Sequence, residues 1–208
     1  MTKNEAEKLT EILTNLHKVV VLVATKERGR RPTEYKNFEP YKIQRFFESY
    51  DPKDKTCFDV VADIVSTLLR AHPFPNANHR TMLSVAKGIL EANGFSFPWY
   101  EGKRPKWERY YVSDCSHFFW RSKYWLKIRY MRSELRVRLK NGKRFLYFQG
   151  GGKLLVKEAD LNLSNEQLAT NHRQVTATWL ELMLGDQSGR SRRILPAAIT
   201  RFIAQAES

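Results

Sequence analysis

Cysteine is nearly missing from this chain. Its 208 residues hold two, Cys57 and Cys115, with no CxxC and no paired Cys/His spacing, which argues against a disulfide framework or a cysteine zinc site and fits a reducing cytoplasm. Long apolar runs are missing too. The longest, Val19 to Ala24, falls far short of the roughly 20 residues a membrane helix needs. The opening MTKNEAEKLTEI is charged and periodic rather than an apolar signal core, so a soluble protein that meets no membrane is expected. Acids are scarce in the second half: residues 1–100 carry a net +3 and residues 101–208 a net +11, of +14 in all. No internal repeat is found.

What is present can fill a core, since 42% of the residues are hydrophobic and 12% aromatic. Leu9, Ile12, Leu13, Leu16, Val19, Val20 and Val23 recur at helical spacing and predict a helix over Glu7–Thr25, ended by the Arg28–Pro32 breaker. A second helix is expected within Asn37–Tyr50, closed by the turn signal Asp51–Asp54. Phe58 to Leu69 carries an apolar stripe wide enough for a buried helix, and Pro73 stops it. Asn78–Glu91 resumes the helical pattern until Asn93-Gly94. Two helices thus flank a short polar loop.

Beyond Pro98 aromatics mix with bases, and over Tyr124–Lys157 the period is largely two: Leu135, Val137 and Leu139 alternate with Arg136, Arg138 and Lys140. This reads as strands, with Asn141-Gly142 as a hairpin turn between ELRVRLK and KRFLYFQ, and KLLVK as a third strand. Two helices, Glu166–Leu184 behind a Ser164/Gln167 capping box and Pro196–Ala206, close the chain. The domain reading is therefore a helical domain over residues 1–100 and a basic region over 101–208, with a β-hairpin near 133–149 and terminal helices. Residues 103–144 hold 14 Lys/Arg among Trp107, Tyr110, Tyr111, Trp120, Tyr124, Trp125 and other rings, a mixture that suits RNA or another nucleic acid. The plainer reading makes those rings the core of a strand-rich appendage with bases on its outer face. The plainer reading is favoured for the rings, and nucleic-acid contact for the charge.

The polar loop HPFPNANHR carries the chemistry. His72 offers an imidazole whose ordinary pKa of about 6.5 leaves it partly neutral, fit to take a proton from an attacking hydroxyl. The first-turn backbone amides near Ala77 to Arg80, with the Arg80 guanidinium and the amides of Asn76 and Asn78, can cradle phosphate oxygens. Phe74 would point into the core and fix the loop. A bland capped turn would use the same Asn residues, but the full set of groups favours function. His79 is as readily a solvated first-turn residue as a gate on a nucleotide. The remaining histidines, His17, His117 and His172, read as structural or exposed.

HPFPNANHRTMLSVAKGILEANGF resembles the Fic/Doc signature HxFx(D/E)(G/A)N(G/K)R and the helix that follows it, most closely the Doc (death-on-curing) type. The likeness spans about Thr10 to Phe97 and is specific around residues 58–95. It implies a mainly α, Fic/Doc-type helical bundle, here extended by a basic, strand-containing C-terminal region. It implies His72 as catalytic base, Phe74 as anchor, Asn78 as organiser of the loop, and Arg80 as a phosphate ligand, with Asn76, Ala77 and His79 completing the phosphate-binding segment. The activity implied is transfer of phosphate, or AMP, from an NTP such as ATP to a Ser, Thr or Tyr hydroxyl of a target protein, with a toxin acting on translation as the family-level expectation. Three positions depart from the pattern. Asn76 replaces the acidic Mg²⁺ ligand, which weakens the expectation of bound magnesium and leaves no metal ligand assigned. His79 replaces a glycine or lysine, and Leu83 a second arginine, both of which favour the phosphate-transferring Doc form. The family's inhibitory motif is absent, so restraint would come from a separate antitoxin chain. The Arg28–Phe38 connector lies where the family has its target-docking flap. The alternative reading is a non-catalytic Fic-fold protein that binds nucleic acid through its basic half.

Overall fold

Capping chemistry sets where the first helices begin. In a computed structural model describing residues 1–96, 117–148, 152–185 and 197–207, α1 (Lys3–Arg28) starts on a capping box. Thr2 Oγ1 accepts from the Glu5 N–H at 3.2 Å, and the Glu5 carboxylate accepts from the Thr2 N–H at 2.8 Å. Gly29, at φ 67°, ends the helix in the left-handed region. Pro40 opens α2 (Pro40–Ser49), where its missing N–H costs nothing. Thr56 caps α3 (Cys57–Ala71) by accepting from Asp59 N–H at 3.0 Å, and α4 (Asn78–Ala92) follows the polar loop. The last helix, α8 (Ala198–Glu207), packs on α4 so closely that a Cβ on Gly88 would stand 2.6 Å from Phe202.

The chain divides into two compact units, residues 1–97 with 184–208, and residues 98–183. The first unit is thus discontinuous in sequence, the terminal helix returning to it. That unit is helical: α1 packs on α2 and α4, and α4 on α3 and α8. Its core is the apolar stripes of these helices, with Leu9, Leu13, Ile43, Phe47, Ile64, Leu68, Leu69, Met82 and Ile89 all buried.

The second unit contains α5 (His117–Tyr130), α6 (Arg132–Lys140), the strands β1 (Phe145–Tyr147) and β2 (Lys153–Leu155), a 3-10 turn at Glu158–Asn162, and α7 (Asn165–Leu184) to its boundary. The two strands pair antiparallel, Phe145 opposite Leu155 and Tyr147 opposite Lys153. Tyr124, Ile128, Leu135, Leu146, Phe148, Val156, Leu161 and Leu168 form its core. The Ser164/Gln167 capping box is present, with bonds of 2.8 and 3.1 Å.

Here the expected strands over 124–140 are corrected: that stretch is helical. The alternation at 135–140 spans too few residues to separate the two periods, because Leu135 and Leu139 are also an i,i+4 pair on one helix face. Leu135 is buried while Val137 is exposed, as one helical face would have it. Glu, Leu, Arg and Lys are good helix formers, which decides the tie. Asn141-Gly142 is accordingly no hairpin turn but the end of α6: Gly142, at φ 74°, donates to Leu139 C=O and Lys143 N–H to Arg138 C=O. The hairpin lies at 145–155 instead of 133–149, closed where Phe148 N–H donates to Gly152 C=O at 2.8 Å.

Among the described residues there are eight α-helices and two short strands, so the chain is mainly α. No described helix is long and apolar enough to cross a membrane. Cys57 is a buried free thiol whose pKa burial pushes up to about 12; Cys115, Trp107, Tyr110 and Tyr111 lie outside the described residues.

Candidate active site

The loop between α3 and α4 is bounded by two residues in left-handed backbone, His72 at φ 54° and Ala77 at φ 50°. Neither is glycine, so each conformation costs roughly 1–2 kcal/mol and needs support from its surroundings. Asn78 gives that support. Its Oδ1 accepts from Phe74 N–H at 3.0 Å and its Nδ2 donates to Phe74 C=O at 2.8 Å, so one buried amide closes both backbone groups of the loop's central residue.

Phe74 is fully buried, with His17 stacked on it at 4.3 Å and Phe38 at 5.6 Å. His17 Nδ1 meets Thr81 Oγ1 at 3.1 Å, which ties α1 to the first turn of α4. Burial lowers the pKa of His17 to about 4, with Arg31 acting the same way and Glu34 against it. His172 is likewise buried, against Ser122 Oγ at 2.8 Å, while nothing is described of the His117 side chain.

The connector between α1 and α2 runs alongside the loop. Tyr35 N–H donates to Pro75 C=O at 3.2 Å, Glu39 N–H to Pro73 C=O at 2.8 Å, and Asn76 Nδ2 to Pro32 C=O at 3.2 Å. This brings the Tyr35 hydroxyl to 3.2 Å from His72 Nε2, with the rings 5.5 Å apart. Asn78 Nδ2 donates to the same hydroxyl at 2.9 Å. Since an amide NH₂ can only donate, the phenol oxygen is the acceptor in that bond. Burial, then Lys36 and Lys42, lower the His72 pKa to about 4 against the pull of Glu39, so the ring is neutral near pH 7. Desolvation raises the Tyr35 pKa and the bond from Asn78 opposes it. Glu39 gathers Lys36, Lys42 and Tyr41, and their hydrogen bonds hold its carboxyl down to about 2.

The residues singled out from sequence are therefore close together but differently occupied. His72 faces a hydroxyl, and Phe74 and Asn78 build the loop. Asn76 is buried with Oδ1 lacking a hydrogen-bond partner. Ala77 precedes α4 and offers it no side-chain cap. His79 is buried. Arg80 Nη1 is 3.1 Å from the Glu27 carboxylate at the end of α1. Leu83 is core. Sequence reasoning missed Tyr35, Glu27 and Thr81; Tyr35 sits in a polar connector with no periodicity, and only the fold closes its 37-residue separation from His72.

Among the described residues no cluster of three or more His, Cys, Asp or Glu is assembled to hold a metal. Residues 1–192 match a family of unknown function, DUF8172, and the chain belongs to it. No curated protein and no solved structure matches the chain.

Proposed function

We propose that the chain is a Doc-like transferase that moves phosphate, or AMP, from a nucleoside triphosphate to a hydroxyl of a target protein. The observation that supports this is His72, its pKa lowered to about 4 and its Nε2 3.2 Å from a hydroxyl, beside the start of α4, where Ala77 offers no capping side chain. In the reaction the target oxygen attacks phosphorus while His72 Nε2 takes its proton. The phosphorus–oxygen bond to the departing ADP, or pyrophosphate, breaks as the new one forms. Ala77 to Arg80 would receive the phosphate oxygens through first-turn N–H groups and, once shared with Glu27, the Arg80 guanidinium. The orphaned Asn76 Oδ1 fits one neutral oxygen ligand for Mg²⁺, the phosphates supplying the rest. Magnesium bound there would neutralise phosphate charge. The connector carrying Tyr35 and Phe38 would then serve as the target-docking flap.

The test is incubation of the protein with cell lysate and ATP labelled at the α- or γ-phosphate, alongside His72→Ala. Transfer of γ-label is expected for phosphate and α-label for AMP, with His72→Ala slower by about 10²–10⁴-fold. Label transferred from neither position, or equally by the variant, overturns the proposal.

A further inference from the structure

The hairpin of the second unit presents rings to solvent. Partners across an antiparallel pair share a face, so Phe145, Tyr147, Lys153 and Leu155 stand on one side and Leu146 and Leu154 on the other. Leu146 is buried, whereas Tyr147 is 69% and Phe145 40% exposed. The rings are two residues apart on a strand, about 7 Å by strand rise, which leaves room for a base against each. Their backing is rigid: Phe148 is buried, and Gly152 sits so tightly on Trp120 that a Cβ would fall 2.2 Å from the indole.

The chain around this hairpin is basic. Residues 132–157 include eight Lys/Arg and a single acid, Glu134. Lys153 Nζ lies 5.4 Å from the centre of the Phe145 ring. Arg138 donates to Phe145 C=O and Arg136 to Leu161 C=O and Asn162 Oδ1, all neutral acceptors that orient the guanidinium groups without cancelling their charge. Among the described residues no ion pair involves Arg138, Lys140, Lys143, Arg144 or Lys153. Within 103–144 Tyr124 lies in the core and Trp120 and Trp125 pack against it, as the plainer reading of these rings expects, while Tyr130 is exposed.

We propose that the Phe145/Tyr147 face of this hairpin is a stacking platform for a nucleic-acid single strand, whose phosphates are met by Lys140, Lys143, Arg144 and Lys153. An exposed pair of rings inside an uncompensated basic surface matches the two faces of a single strand, unstacked bases and a continuous anion. A duplex hides its bases and would gain nothing from the rings. The platform is independent of the His72 loop.

The test uses the full chain and a fluorescent oligo(U) of about 12 nucleotides, within the site sizes such surfaces take, read by anisotropy. Tyr147→Ala and Phe145→Ala are each expected to weaken binding at least about 5-fold, from roughly 1–3 kcal/mol per stacked base. Tyr147→Leu, which keeps the apolar bulk, should lose as much. The triple variant K140Q/K143Q/R144Q should flatten the log–log salt slope by about 2, at about 0.7 per phosphate contact. His72→Ala should bind like the wild type, which separates this surface from the transferase reading. Unchanged affinity in both ring variants, or a duplex of equal length bound more tightly than the single strand, overturns the proposal.

Discussion

Asn78 and Asn76 look alike in sequence, two asparagines one residue apart, and the fold treats them in opposite ways. Asn78 satisfies the N–H and C=O of Phe74 and also reaches Tyr35, while Asn76 spends one donor on Pro32 and leaves Oδ1 buried without a partner. Truncating Asn78 strands two buried backbone groups, each worth about 1–3 kcal/mol, so Asn78→Ala should cost about 2–5 kcal/mol of stability. Truncating Asn76 removes one bond and one orphan, and Asn76→Ala should cost about 1 kcal/mol or less. Urea denaturation of both variants checks the contrast, and equal losses would refute it. The pattern HPFPNANHR made this loop legible, and the burial of Phe74 could be read from its apolar ring among polar neighbours. Which asparagine clamps and which is left open could not be read, because that depends on Ala77 and His72 both taking left-handed backbone.

At the scale of elements, helix ends were the most legible feature where side chains cap them. The residues around Ser164 and Asn93-Gly94 mark their boundaries by local hydrogen bonding, which acts over three or four positions. Strand and helix were confused at Leu135 to Leu139, where the same residues satisfy both periods and tertiary packing decides. The pairing of α1 with α4 was not legible at all, since it joins Glu27 to Arg80 across 53 positions. That pairing bears on function. Glu27 is half exposed and its hold on Arg80 is a surface ion pair worth about 0.2–1 kcal/mol, yet it competes for the guanidinium proposed to meet phosphate. Glu27→Gln should therefore tighten ATP binding by up to about 5-fold, and Arg80→Ala should weaken it. Calorimetric titration of both variants with ATP is the measurement; unchanged affinity in each would remove Arg80 from the site.

For the whole molecule, the two units divide the chemistry: the first holds His17 and His72 with lowered pKa values in a helical unit, and the second carries most of the uncompensated charge. This division gives the first unit a characteristic response to acid. His17 and His72 both have folded pKa values of about 4, below the ordinary 6.5, so between these values the unfolded chain binds protons that the folded chain refuses. Stability is therefore fully present above pH 6.5 and is lost as pH falls toward 4, at up to about 1.4 kcal/mol per pH unit for each histidine. Glu39 behaves with the sign of a depressed carboxylate: its contribution is whole above pH 4.5 and is lost progressively from there to about 2, mostly below this window. The window from 6.5 to 4 thus belongs to the histidines rather than to that ion-paired cluster. The double variant H17Q/H72Q, less stable at neutral pH for lack of the Phe74 stack, should nevertheless show a flatter fall in its denaturation midpoint across the window. Ring-proton NMR titration of the wild type should place both histidines below pH 5. A wild-type slope retained by the double variant would mean that other groups carry the acid response.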